Sequence, residues 1–443
     1  MIFKGKADII DLFQKIKNPS DFLRNILSVF TGSTITQFIP ILTAPILTRI
    51  YTPNDYGVLG ILMSITGLFG VFSTFGYSNA IIIAKTDEET NKIVGLCLKN
   101  LVIVTILSSL VIIAFGDLIA NSFNIKNYSI LLYLVPTSIV LSGIASIFGL
   151  LATRYQYYKM ISTNRVISAV ISAVFSIVIG LIYKSLIGLI IGFIISQLIS
   201  SLILLFFLKK KHQTITLLEF IKQPTKLVAK NFNNFPKYVL PSDFINNFSN
   251  LIPVFVLSSY AVLPQVAVGF YNMSNRILGL PIGLISNSIG DVFKQRAASD
   301  FNEFGSCRPI FIKTFKALLI SSIIPFAILI TFGADIFAIA FGEKWRGAGE
   351  YSQILGVMFF FRFTVSPLTY VFYIANKQKL DLYLHLLFIL VGFLSLYIGI
   401  IIFENIKLSL WFFSIAYSTI YMLYLFISYK ITINNNHKKY QIS

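Results

Sequence analysis

The chain reads as an all-α polytopic membrane protein: about twelve transmembrane helices in two parallel six-helix bundles around a central cavity. Three observations predict this. Stretches dominated by Ile, Leu, Val and Phe recur along the 443 residues, each long enough to cross ~30 Å of hydrocarbon at 1.5 Å per residue. The composition is 56% hydrophobic with a mean hydropathy of +0.79, far outside the range of a soluble domain. Finally, the second half repeats features of the first at a spacing of six spans.

The first bundle, 23–208, holds spans at 23–48, 57–83, 93–116, 128–153, 161–183 and 185–208. The second, 240–429, holds 240–262, 266–291, 311–341, 351–375, 380–403 and 408–429. Basic residues close most of them, such as Arg49, Arg154, Lys184, Lys209-Lys210-Lys211 and Lys430. Residues 1–22 form an N-terminal segment in which Ile9, Ile10, Leu12, Phe13 and Ile16 can make the apolar face of a short surface helix; a partly ordered leader is the other reading. Residues 209–239 read as a basic interfacial linker, with Leu217, Leu218, Phe220 and Ile221 among lysines, and 430–443 as a tail.

Orientation follows from the Lys and Arg distribution around the span ends. With the N-terminus placed in the cytoplasm, 27 of the 36 basic residues fall on that side and 6 on the other. Both termini are therefore expected in the cytoplasm. The remaining three, Lys99, Arg276 and Arg362, lie within spans. The net charge of +18 sits on connections where anionic lipid headgroups attract it, which argues against a nucleic-acid partner. Cys97 and Cys307 are not expected to pair.

The repeat appears at an offset of about 212 residues. Phe38-Ile39-Pro40-Ile41 corresponds to Leu251-Ile252-Pro253-Val254, and Pro53 with Gly57-Val58 corresponds to Pro264 with Gly269-Phe270. An even number of spans gives both halves one orientation, as in transporters built from parallel repeats, with substrate bound between them.

Charges at bilayer depth are costly, by ~2.5–3.5 kcal/mol on insertion scales, and they usually face a partner or a wet cavity. In the eighth span Asn272, Arg276, Gly279, Gly283 and Asn287 share one helical face. Asn246 and Asn250 lie one turn apart in the seventh, with Asp243 near its cytoplasmic end. The first-half counterparts are Thr34 and Gln37, then Thr66, Gly70, Ser73 and Tyr77. Two readings stand open: a hydrated cavity with a cationic point at Arg276, lined by spans one, two, seven and eight, or Arg276 paired with Asp243 or another acid as internal glue, with the small residues letting helices pack closely. Arg362, followed by Ser366 and Thr369, is either a second cavity cation or an arginine packed among phenylalanines. Lys99 is expected to snorkel to the interface and His385 to sit in the core, while Arg49, at the outer end of the first span, is either an interface anchor or the outer rim of the cavity. No phosphate loop, zinc spacing or nucleophile elbow is present, and the outer connections are short, so neither catalysis nor a cofactor is expected.

Leu47-Thr48-Arg49 followed by Pro53-Asn54-Asp55-Tyr56-Gly57 resembles the opening of bacterial polysaccharide-export flippases of the multidrug/oligosaccharidyl-lipid/polysaccharide exporter superfamily. Phe75-Gly76-Tyr77-Ser78-Asn79-Ala80, and Val268-Gly269-Phe270-Tyr271 through Arg276 to Leu280-Pro281, are similar to that family's second and eighth helices. The resemblance implies an O-antigen or capsule flippase in the bacterial cytoplasmic membrane, moving undecaprenyl-pyrophosphate-linked oligosaccharide from the inner to the outer leaflet. It implies a diphosphate-binding role for Arg276 and, less directly, for Arg49. Asn272, Asn246, Asn250, Gln37 and Tyr77 are candidate headgroup contacts, and Arg362 joins them on its depth alone. Membrane lipids, a proton or sodium ion for coupling, and the polymerase and glycosyltransferases of the same pathway are the partners this implies. The alternatives at this point are a cation-coupled exporter of small soluble substrates, a major-facilitator transporter, and a scaffold or polymerase of the same pathway.

Overall fold

The computed structural model describes residues 21–183, 185–211, 217–260, 263–375 and 377–433. The amphipathic segment at Ile9–Ile16 and the tail from 434 lie outside the described residues, as do the side chains of Thr34, Asn246 and Asn287. Among the described residues, twelve helices build the two halves in chain order, and a further helix, Asn287–Phe304, follows the eighth. The twelve are α1 (Asp21–Ile50), α2 (Pro53–Gly70), α3 (Asp87–Ser122), α4 (Leu134–Arg154), α5 (Tyr158–Tyr183) and α6 (Ile187–Lys211), then α7 (Leu240–Tyr260), α8 (Pro264–Pro281), α9 (Arg308–Phe341), α10 (Arg346–Val365), α11 (Gln378–Tyr397) and α12 (Ile406–Lys430).

Local chemistry sets several of their starts. At α2, Pro53 occupies the first turn, the Thr52 hydroxyl accepts from the Asp55 N–H, and the Asp55 carboxylate accepts from the Thr52 N–H at 2.8 Å. The Pro-Asn-Asp-Tyr-Gly motif is therefore a capping box. At α3, Thr86 caps a first turn holding Asp87, Glu88 and Glu89, whose charges suit the positive end of the helix dipole.

Among the described residues, the helical segments containing α3–α6 and α9–α12 are long and apolar enough to cross a membrane, and the protein is multi-pass. The other four, α1, α2, α7 and α8, supply the walls between the halves. Leu107, Leu110 and Ile113 of α3, and Ile320, Ile324 and Phe332 of α9, are exposed outward, as hydrocarbon-facing residues should be.

The two halves repeat one packing scheme. α1 packs on α5, α2 on α4, α3 on α4, α4 on α6 and α5 on α6; α7 packs on α11, α8 on α10, α9 on α10, α10 on α12 and α11 on α12. The halves meet chiefly through α2 on α8, with smaller contacts of α2 on α7 and α1 on α9.

Several expected spans are broken, among them those of α2, α8 and α10. α2 ends at Gly70, and the chain passes through Phe75 and Gly76 (φ 51° and 76°) before a turn at Tyr77–Asn79. α8 gives way after Pro281 to a π-turn at Ile282–Ser286, and α10 to a 3-10 turn at Ser366–Tyr370 that carries Pro367. Proline removes a ladder donor, and such breaks are tolerated in a membrane where protein or a cavity covers them.

The linker packs on the first half. Its short helices Leu217–Lys222 and Lys226–Asn231 dock on α3, and Phe220 and Val228 are buried. Gly95 leaves room for the Phe220 carbonyl. Lys99 holds the linker down, its Nζ donating to the Gln223 carbonyl at 2.9 Å and to Thr225 Oγ1 at 3.3 Å. That carbonyl lies just past a helix C-terminus, where a cation is favoured. The ammonium that was expected to reach the interface is caught by protein.

Candidate functional site

The parallel pair α2 and α8 organises the centre of the molecule. A Cβ on Gly57 would overlap the Gln265 carbonyl, and one on Gly269 would overlap the Pro53 carbonyl, so each repeat glycine admits the other half's backbone. This crossing lies on the face opposite the basic connections. Trp345 reinforces it from the start of α10: its ring is fully buried, Nε1 donates to the Thr48 carbonyl at 3.1 Å, and the Tyr56 ring meets it edge-on at 5.2 Å. Further along, α2 and α8 splay. A Cβ on Gly67, Gly70 or Gly279 would meet nothing within 4 Å.

Where the pair parts, a cavity of about 580 Å³ opens between the halves. α1 contributes Pro40, Thr43 and Leu47; α2 Tyr56, Leu59, Gly60, Met63 and Ser64; α5 and α6 mostly small residues and Phe193; α7 Leu251; and α8 Asn272, Met273 and Arg276. Arg276 is half-buried and makes no hydrogen bond or ion pair with any described residue. Asp243, its candidate partner, is exposed and unpaired with it. Among the described residues, no acid pairs with Arg276 as the glue reading requires.

A second cavity of about 390 Å³ lies inside the second half. Ser249, Asn250 and Pro253 of α7, Tyr271 and Asn275 of α8, Met358 and Arg362 of α10, His385 and Phe388 of α11, and four aromatic residues of α12 line it. Arg362 stands over the Phe359 ring at 5.5 Å and has no carboxylate partner among the described residues. Among the described residues, no Asp or Glu lines either cavity. At the margin of the second, Asp381 accepts from the Tyr424 hydroxyl at 2.9 Å, and His385 Nδ1 lies 3.1 Å from the same hydroxyl.

Residues 46–350 match the model of a family described as polysaccharide biosynthesis protein. The chain belongs to that family. No curated protein matches it in sequence. This polysaccharide biosynthesis family member shares its fold with solved transporters. Lipid II flippase MurJ in an inward closed conformation superposes with a TM-score of 0.70 at 18% identity, covering 92% of this chain and 87% of that one. An inward-facing multidrug resistance MATE family transporter of the MOP superfamily gives 0.65 at 14% identity, covering 89% and 94%. A MOP superfamily transporter from Pyrococcus furiosus, described as having a binding pocket of reverse polarity, gives 0.62 at 12% identity, covering 92% and 95%.

Within this family member, the candidate residues separate. Arg276 and Asn272 face the inter-half cavity, whereas Arg362 and Asn250 face the other. Arg49 is exposed at the end of α1, its carbonyl 3.4 Å from Lys344 Nζ, and lines neither. Gln37 also lies outside both walls: its side-chain amide sits where a Cβ on Gly283 would go, bracketing α1 against the turn after α8. Tyr77 is buried and donates to the Ala229 carbonyl at 3.2 Å, tying α2's distal turn to the linker. His385, expected in the core, lines the second cavity. The walls from α5, α6, α11 and α12 went unread, because small or aromatic residues in an apolar span carry no polar signal.

Proposed function

We propose that this protein is a flippase that moves an undecaprenyl-pyrophosphate-linked oligosaccharide, an O-antigen or capsule repeat unit, from the inner to the outer leaflet of the bacterial cytoplasmic membrane by alternating access, with both termini cytoplasmic. The observation that carries this reading is Arg276: a guanidinium in a cavity between two repeated halves, with no acid to neutralise it among the described residues. An uncompensated charge at that depth is destabilising unless it has a ligand to meet. Arginine suits a diphosphate because its planar fork of donors stays charged at any relevant pH. The sugar headgroup needs a polar path while the lipid tail stays in hydrocarbon, and an inside-negative potential favours outward movement by roughly 2.3 kcal/mol per charge per 100 mV.

The family match and the shared fold support transport over catalysis. The rival reading, a cation-coupled exporter of small soluble substrates, would call for carboxylates in the cavity walls, and the described walls hold arginines instead. Membrane lipids and the polymerase and glycosyltransferases of the same glycan pathway are the proposed partners. A proton or sodium ion is the proposed coupling species, with Arg276 and Asn272 as the main diphosphate contacts.

The purified chain in liposomes should expose a fluorescent undecaprenyl-pyrophosphate-linked sugar to an impermeant probe in the outer medium, and Arg276→Ala should abolish this while the protein still inserts. Equal translocation by Arg276→Ala would remove the arginine's role. No translocation by the wild type would end the flippase reading.

A further inference from the structure

The second-half cavity differs in kind from the one holding Arg276. Tyr271, Phe388, Phe413, Tyr417 and Tyr421 present ring surfaces, and amide, hydroxyl and imidazole groups alternate with them around Arg362. Flat apolar faces interleaved with hydrogen-bonding groups match a pyranose, which has C–H faces and a rim of hydroxyls. Arg362 adds the demand for an anion, because no carboxylate among the described residues meets it. The Tyr417 hydroxyl is buried with no hydrogen-bond partner among the described residues. α8 is the shared wall. Asn272 and Arg276 face one cavity, while Tyr271 and Asn275 face the other, so the two stripes stand about 100° apart on one helix.

We infer that the second-half cavity binds an acidic sugar of the hexuronate class, its carboxylate on Arg362 and its ring against the α11 and α12 aromatics, so that this chain selects glycans carrying such a residue. The assignment rests on the glycolipid reading and deepens it. A carboxylate fits better than a second phosphate because one sugar supplies both the charge and the ring face that the walls offer. All walls of this cavity come from residues 249–424, so it can keep its ligand while the two halves move relative to one another.

The test uses the full chain in lipid nanodiscs, titrated with methyl glucuronide, methyl glucoside and inorganic diphosphate. Wild type should bind the glucuronide at least ten-fold tighter than the glucoside. Arg362→Gln should erase that preference and leave diphosphate binding unchanged, Arg276→Gln should do the reverse, and Arg362→Lys should keep part of the preference and report on folding. Equal binding of the two sugars by wild type, an undiminished preference in Arg362→Gln, or loss of diphosphate binding in that variant overturns the assignment. In liposomes, Arg362→Gln should slow a uronate-bearing lipid-linked substrate at least ten-fold and a neutral one less than two-fold. A wild type that prefers glucuronide through Arg362 but moves no lipid-linked substrate would sink the flippase reading and leave this site standing.

Discussion

The two cavities occupy corresponding places in the two halves, yet they are built differently. Pro40, Leu59 and Met63 line the first; Pro253, Tyr271 and Asn275, about 212 residues further on, line the second. The scaffold is the same. The first cavity nevertheless borrows Asn272, Met273 and Arg276 from the second half, whereas the other belongs to the second half entirely. Rocking of the halves would reshape one and carry the other intact. The linings differ too: Ala169, Ser172, Ala173 and Ser176 of α5 leave a smooth wall where His385 and Phe388 of α11 crowd theirs. The two halves share helix packing, and their chemistry differs at a few positions on top of it.

The sharpest way to separate the cavities is to break the crossing that the first depends on. Gly57→Leu or Gly269→Leu drives a side chain into the opposing backbone, which cannot yield as a flexible side chain can. Overpacking costs about 1–3 kcal/mol where side chains can adjust, and this site should sit at or above the upper end. The expected result is a large drop in apparent melting temperature of the detergent-solubilised protein, with translocation lost. Glucuronide binding should outlast diphosphate binding on heating, because only the latter needs both halves. Simultaneous loss would show that the second cavity also depends on the crossing.

How much of this was legible beforehand follows from where the signals lie. Charge asymmetry and apolar length depend on summed composition, so the helices could be read directly and an orientation expected for them. Gly57 and Gly269 could be matched, since glycine and proline positions stand out in an apolar background, but their reciprocal contact needed coordinates. The depths of Arg276 and Arg362 were legible as well. Their placement in two cavities was not, because Tyr271 and Asn272 are neighbours in sequence and only helix geometry turns them to different walls. Gln37 and Tyr77 looked like cavity polar groups because a polar residue inside a span signals a partner without saying which kind.

A smaller effect is expected at Trp345. Trp345→Phe keeps a ring against Tyr56 but loses the Nε1 donor to the Thr48 carbonyl and part of a fully buried side chain. A lost buried hydrogen bond and the space left by the larger ring together cost about 2 kcal/mol. Because this contact closes only the face opposite the basic connections, a cysteine placed at Asn54 should label faster with an impermeant maleimide, while Arg362-dependent glucuronide binding stays as in the parent. Unchanged labelling would mean that the glycine crossing alone closes that face.

The finest comparison sets one tyrosine in each cavity against the other. Tyr56 and Tyr417 are both buried, and each hydroxyl lacks a hydrogen-bond partner among the described residues. A hydroxyl held that way costs about 1–3 kcal/mol, so replacing it with hydrogen should stabilise the resting protein. Tyr56→Phe and Tyr417→Phe are each expected to raise the apparent melting temperature by an amount equivalent to about 1 kcal/mol. A stabilising change is the mark of a group kept for its ligand rather than for the fold. The ligand effects should then divide: Tyr56→Phe weakens diphosphate binding several-fold and spares the glucuronide, and Tyr417→Phe does the opposite. A variant that melts lower has lost a structural contact, and one that weakens both ligands alike would show the two cavities acting as a single continuous site across α8.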